Sequence, residues 1–259
     1  MSTALALPAK IGASLLQIAE QAGGIAIMAG QILRRLLPPK IDRIEFFRNM
    51  YRMGVQSTAI VAATAFFTGC IMVIQAAPIV QNFNANHYVG WSAMFTTFRE
   101  IGPLLIALMF NGRVGANNTA ELGTMVVTEQ IDALRALAID PVTYLVVPRV
   151  LSMIITMTAL VILGDALAIL GAIVMANVML DMHPVGFVNH ALEMLVLWDF
   201  LVGVIKAFFY GSMISLSSCY FGLATRGGAP GVGRAVNASV VASASGVFIA
   251  DYISSFVLG

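Results

Sequence analysis

Five long apolar runs alternate with short polar segments along the chain. Residues 55–80 are apolar apart from Gln56, Ser57, the threonines and Gln75, long enough for a helix to cross hydrocarbon about 30 Å thick, with Pro78 expected to end the span. Residues 81–90 form a polar segment that includes His87 and lacks Lys and Arg. Residues 91–110 read as the second span. Residues 151–180 are interrupted only by Asp165 and Asn177 and would be about 45 Å long as one helix, so they make either one tilted span or two short ones. Residues 195–223 and 240–258 supply the remaining runs. Ahead of them, residues 10–37 mix apolar positions with Gln17, Glu20, Gln21 and Gln31. Three polar groups within two turns favour a helix lying in the membrane interface over a plain crossing. Residues 40–52 interleave Arg43, Arg48 and Arg52 with Ile44, Phe46, Phe47 and Tyr51, a composition suited to the membrane surface.

Between the second and third runs lies a charged insert, residues 119–149. From Thr128 its pattern predicts a short helix, with Thr128 as N-cap, Glu129 and Asp132 in the first turn and Pro141 after Asp140 as the stop. Ile131, Leu134 and Leu137 recur at three-residue spacing and Ala138 completes a narrow apolar stripe, while Glu129, Asp132 and Arg135 point elsewhere. Such a helix rests either on the bilayer or on a partner surface.

Composition fits this pattern. Of 259 residues, 59% are hydrophobic and 10% charged, and the mean hydropathy is +0.89, against roughly 25% charged in soluble domains. The expected class is an all-α integral membrane protein. A net charge of +1 gives no nucleic-acid footprint, so charge matters here through its placement. One crossing over residues 151–180 puts the Lys/Arg-free loop 181–193 outside and the loop 225–237, with Arg226 and Arg234, inside. Two crossings reverse both, so one is chosen. The N-terminus is then cytoplasmic, the C-terminus periplasmic, and every basic residue except Arg99 and Lys206 lies on the cytoplasmic side. No removable signal peptide is expected, and Cys70 and Cys219, inside apolar runs without CxxC spacing, read as buried thiols.

Sites for soluble chemistry are not evident. The glycine-rich stretch 228–233 is followed by Arg234-Ala235 and lacks the lysine and hydroxyl of a phosphate loop. Asp181, His183 and His190 read as solvated loop residues rather than a metal site. No catalytic residue, metal or cofactor is expected in this chain.

The charges inside the apolar runs carry more information, because each costs about 3 kcal/mol at mid-bilayer unless paired or facing water. Arg99 and Lys206 fall at similar depth. Glu100 is placed to neutralise one, and Asp199, two turns from Lys206 on the same face, the other. The cluster either lines a transport path or is an architectural ion-pair network.

Several blocks together resemble the MlaE (YrbE-type) permeases of ABC systems that work with MCE proteins. They are Arg99-Glu100, Gly102-Pro103-Leu104, Gly112-Arg113, Gly115, Ala120-Glu121, Gly123, Met125, Thr128-Glu129-Gln130-Ile131-Asp132-Ala133-Leu134, Asp140-Pro141, Tyr144-Leu145 and Pro148-Arg149, then Gly227-Gly228, Gly231, Gly233-Arg234-Ala235 and Asp251. Asn111, Asn117, Asn118 and Val236-Asn237 depart from the family pattern. The resemblance implies a single permease domain with an N-terminal interfacial helix and five transmembrane helices, as a homodimer in a Gram-negative inner membrane. Its implied partners are an MlaF-like ABC ATPase carrying ATP and Mg, a periplasmic MlaD-like MCE hexamer and an MlaB-like STAS protein. Its implied task is moving glycerophospholipid between the inner membrane and the MCE carrier, which supports outer-membrane lipid asymmetry. By the same resemblance the insert is the coupling helix, with Glu121, Thr128, Glu129, Ile131, Asp132, Leu134 and Arg135 facing the ATPase, while Arg99, Glu100 and Lys206, with Asp199 beside them, lie near the lipid path. The alternative is a proton-coupled secondary transporter of an apolar substrate, with Glu100, Asp165 and Asp199 as relay groups.

Overall fold

The computed structural model describes residues 6–35, 43–83 and 88–258, and every regular element among them is helical. Five helical rods are long and apolar enough to cross a membrane: Arg43–Asn82, Val89–Val127, Val142–Leu180, Leu197–Leu223 and Gly228–Leu258. The first joins α2 (Arg43–Met53) through a 3₁₀ turn to α3 (Thr58–Asn82). Pro78 lies inside α3 and does not end it. The second rod strings together α4 (Val89–Thr96), a π turn (Thr97–Ile101), α5 (Gly102–Phe110), another π turn (Asn111–Gly115) and α6 (Ala116–Val127). At 39 residues it is about 58 Å long and outreaches the hydrocarbon. Helix therefore continues well past Phe110, where the apolar run stops.

This continuation shortens the insert. Between the second and third rods only residues 128–141 remain, and they hold α7 (Gln130–Ala136). The expected cap is displaced by one residue. Thr128 ends α6 and its hydroxyl donates back to the Thr124 carbonyl at 2.8 Å. Glu129, at φ 60°, turns the chain, and Ala138, at φ 58°, turns it again before Pro141 is reached. The third rod is a π turn (Val142–Val146) followed by α8 (Val147–Leu180), which agrees with one crossing. The outer segment 181–193 is not a bare loop. It contains α9 (Pro184–Met194), capped by His183, whose Nδ1 accepts the Val185 N–H at 3.3 Å. The last two rods are α10 (Leu197–Leu223) and α11 (Gly228–Leu258). The glycine-rich stretch expected in a loop instead forms the first turns of α11, and residues 224–227 alone connect the two helices.

Two of the π turns have the same steric cause. A proline ring clashes with the carbonyl four residues back in an α-helix. Pro103 follows the turn holding Arg99, and Pro148 follows the turn holding Tyr144, so widening each turn relieves the clash.

α8 is central. Met153, Met157 and Leu160 pack against Val61, Ile106 and Phe110 on one side and Tyr210 and Ile214 on the other. Gly69 and Gly171 let α3 and α8 touch backbone to backbone, since a Cβ at either would collide with the Ala168 or Phe66 main chain. α9 closes the end away from the insert through Phe187 and Ala191.

At the insert end, α1 (Ala6–Arg35) docks through Met28 and Ile32 onto Leu122, Val146, Val150 and Cys219. Arg35 Nε pairs with Asp140 at 3.0 Å. Burial opposes ionisation of Asp140, yet the Thr143 hydroxyl, Arg35 and the Val142 and Thr143 amides hold its carboxyl below its usual value. The tie is thus fully present above pH about 4 and is lost as pH falls through the lowered value. In α2 the polar side turns inward, with Glu45 and Asn49 buried while Ile44, Phe47 and Tyr51 are exposed. This suits a helix whose apolar face meets lipid. Lys40 and His87 lie outside the described residues. Both thiols are free; Cys219 is buried and Cys70 only partly so.

Candidate functional site

The first π turn projects Arg99 and Glu100 toward α10 and α11, where each charge meets an opposite one. Arg99 Nη1 pairs with Asp199 Oδ1 at 3.2 Å, its Nη2 donates to the Leu258 carbonyl at 3.1 Å, and its guanidinium lies 5.4 Å from the Phe95 ring centroid. That carbonyl closes α11, so the negative end of the helix dipole adds to the attraction. About two helical turns deeper on α10, Lys206 is 0% exposed. Its Nζ contacts Glu100 Oε2 at 2.7 Å, Asp251 Oδ1 at 3.1 Å and Ser255 Oγ at 2.8 Å. Tyr210 donates to Asp251 at 2.6 Å, and Ser255 donates to Glu100 at 3.2 Å.

All four residues expected from sequence are thus ion-paired, in two neighbouring sets: Asp199 serves Arg99 and Glu100 serves Lys206. Asp251, Tyr210 and Ser255 are further members. Asp251 was visible as a lone carboxylate in an apolar run, but its facing depends on how α11 packs against α10. The π turn itself lies close on α10, because Gly203 sits against the Phe98 carbonyl, where a Cβ would clash. Two cations face three carboxylates, and Glu100, with its side chain 40% exposed, is the member most open to a ligand. The arrangement offers ion-pair donors and acceptors to a polar group moving along the helices. The relay alternative receives no such support, because Glu100 and Asp199 are held by cations and Asp165 makes no hydrogen bond to either.

A second network lies under the insert. Arg149 is 2% exposed; it donates to Asn118 Oδ1 at 3.0 Å and to Glu121 Oε1 at 3.1 Å, and Arg52 pairs with Glu121 from the other side. Asn118 passes the chain on to Ser218 Oγ at 2.9 Å. Glu121 therefore ties α2, α6 and α8 together and does not stand on the outward face of the insert as expected. Ile131 is buried and anchors α7. Leu134 is half-buried, whereas Thr128, Glu129, Asp132 and Arg135 are exposed, with Arg135 pairing to Asp132 at 2.9 Å. Leu137, 71% exposed, extends the stripe outward.

Removing Arg149 leaves Glu121 with Arg52 as its remaining cation and the buried Asn118 amide oxygen without its donor. Arg149→Ala is expected to destabilise the protein by about 1–3 kcal/mol, read as a lowered denaturation midpoint in detergent. Arg149→Lys should recover only part of this, since one ammonium does not reproduce the two-way fork. An unchanged midpoint for Arg149→Ala would contradict the assignment.

The profile of the family described as permease MlaE matches residues 46–257. The chain belongs to the MlaE permease family. A probable ABC transporter permease protein of Rickettsia typhi is 34% identical over 248 residues, covering 96% of each chain. One from Synechocystis sp. is 34% identical over 231 residues, 89% of this chain and 88% of that one. The chloroplastic Arabidopsis thaliana protein TRIGALACTOSYLDIACYLGLYCEROL 1 is 32% identical over 231 residues, 89% of this chain and 66% of its own length. As an MlaE-family member with five candidate spans, this chain is a multi-pass membrane protein and a permease subunit of an ABC transporter. The matched region contains the charged side chains of both networks, α7 and all five rods except the start of the first and the last residue of the fifth. Most of that run was legible as motif; the pairing within it was not.

Proposed function

We propose that this permease moves glycerophospholipid between a Gram-negative inner membrane and a periplasmic MCE-protein carrier, as a homodimer driven by an ATPase on a separate chain, in support of outer-membrane lipid asymmetry. The observation that carries the reading is the membrane-buried network of Arg99, Asp199, Lys206, Glu100 and Asp251, which presents both signs of charge along one helix seam. A phospholipid head group has a phosphate for Arg99 or Lys206 and, in its zwitterionic forms, an ammonium for Glu100. The diacylglycerol lipid in the Arabidopsis relative's name supports a lipid substrate. The insert end is cytoplasmic, because Arg34, Arg35, Arg43, Arg48, Arg52, Arg135, Arg149, Arg226 and Arg234 cluster there. The end bearing Leu258 is periplasmic and meets the MCE hexamer. The ATPase docks on α7, and an MlaB-like STAS protein binds the ATPase.

The complex is expected to copurify from mild detergent with an ATPase, an MCE protein and a phospholipid, identified by mass spectrometry. A complex with those proteins but no phospholipid contradicts the substrate, and a chain that brings down no ATPase contradicts the coupling.

A further inference from the structure

Asp165 lies on α8 in the middle of the bundle, 1% exposed, and neither carboxyl oxygen has a hydrogen-bond partner among the described residues. An ionised carboxylate without a partner in a membrane interior is costly. Among the described residues no cation pairs with it. Beside it on α8, Gly164 faces the Ile106 side chain of α5 and the Ala65 methyl of α3, and one turn on, the Ala168 backbone lies against Gly69 of α3. From the second rod Asp165 meets Gly102, where an added Cβ would lie 2.6 Å from Asp165 Oδ1 and 2.6 Å from the Thr97 carbonyl oxygen. The charged groups closest in sequence to that contact, Arg99 and Glu100, are committed to Asp199 and Lys206. Two oxygens, neither holding a hydrogen as a carboxylate and a carbonyl, thus share the space over one glycine. A proton on Asp165 removes the charge and supplies a donor on the side of that carbonyl, which already accepts the Gly102 N–H and retains a second lone pair.

We propose that Asp165 is neutral in this conformation and donates its carboxyl proton to the Thr97 carbonyl, acting as the positioning residue for the π turn. Thr97 opens that turn and Gly102 follows it, and between them stand Arg99 and Glu100. A donor fixed at the Thr97 oxygen holds the wide turn in register and so aims Arg99 at Asp199 and Glu100 at Lys206. A slip back to α-helical winding would rotate both side chains away from their partners. The inference rests on the transport reading for its functional arm only; the protonation state is tested separately.

The test uses the detergent-purified or reconstituted complex with three chains: wild type, Asp165→Asn and Asp165→Ala. Infrared spectroscopy of the wild type at neutral pH should show a protonated-carboxyl C=O band that disappears in Asp165→Asn. Asn supplies a neutral donor of nearly the same shape, so Asp165→Asn should keep lipid transfer within about twofold of wild type, while Asp165→Ala should lose tenfold or more, about 1.4 kcal/mol at the barrier. If Asp165→Ala does not fold, the infrared band and the Asn variant still decide. A missing band overturns the proposal whatever the protein transports. So does an Asp165→Asn complex that assembles but is inactive, because the carboxyl would then be needed as a titrating or cation-binding group. Full activity of Asp165→Ala also overturns the positioning role.

Discussion

Replacing Lys206 with Met is expected to destabilise the permease by about 3–5 kcal/mol and to abolish lipid transfer. Lys206 is completely enclosed, and its ammonium is the one cation shared by Glu100 and Asp251, with Ser255 as a further contact. Methionine matches the stem but leaves two carboxylates facing each other at low dielectric, with Tyr210 still donating to one of them. The cost therefore lies in the stranded charges and not in lost packing. A triple variant with Lys206→Met, Glu100→Gln and Asp251→Asn should recover most of the denaturation midpoint, since neutral groups of similar shape replace the whole set. It should remain inactive, because Lys206 and Glu100 can no longer meet a head group and only the Arg99–Asp199 pair keeps its charge. Thermal unfolding and lipid transfer measured on the same preparations separate the two effects. A single Lys206→Met variant as stable as the parent would show that the ion pairs are not formed. A triple variant that regains transfer would show that Lys206, Glu100 and Asp251 are purely architectural.

The second large effect concerns α7. Glu129→Lys and Leu134→Asp are each expected to abolish stimulated ATP hydrolysis by the assembled complex while leaving the permease folded. Ile131 points inward and holds the helix on the bundle, so the surface left for a partner comprises Glu129, Asp132, Arg135 and the rim formed by Leu134 and Leu137. Leu134→Asp places a charge at the half-buried seam, where a docking chain must exclude water. Glu129→Lys reverses charge beside it without changing the backbone reversal at that position. Ile131→Ala, in contrast, should lower the stability of the isolated permease. Normal hydrolysis in both α7 variants, with assembly intact, would show that this helix is not the coupling element.

The order of the five spans and their single crossings could be read from apolar run length and from the distribution of Lys and Arg. So could the need of Arg99 and Lys206 for carboxylate partners among Glu100 and Asp199, because an intramembrane charge must be paired; the two cations take separate partners. What could not be read depends on packing. Asp251 is one of several polar residues on α11, and only the approach of α10 brings it to Lys206. Glu121 sits in a stretch whose composition looked exposed, yet α6 continues the second rod and turns that carboxylate onto Arg52 and Arg149. The hydrophobic period stops near Phe110, while helical hydrogen bonding does not, so the insert seemed twice its true length. Both π turns beside prolines follow from Pro103 and Pro148, a signal that was present and carries a geometric consequence.

If a separate ATPase drives this permease to move phospholipid, transfer must depend on ATP hydrolysis by that chain. The most direct measurement is phospholipid transfer in proteoliposomes containing the assembled complex, comparing the intact ATPase with one whose nucleotide site is inactive, each with and without an imposed proton gradient. Transfer is expected with the intact ATPase and ATP, none with the inactive ATPase, and no effect of the gradient in either case. Transfer that survives the inactive ATPase and follows the proton gradient would contradict that dependence.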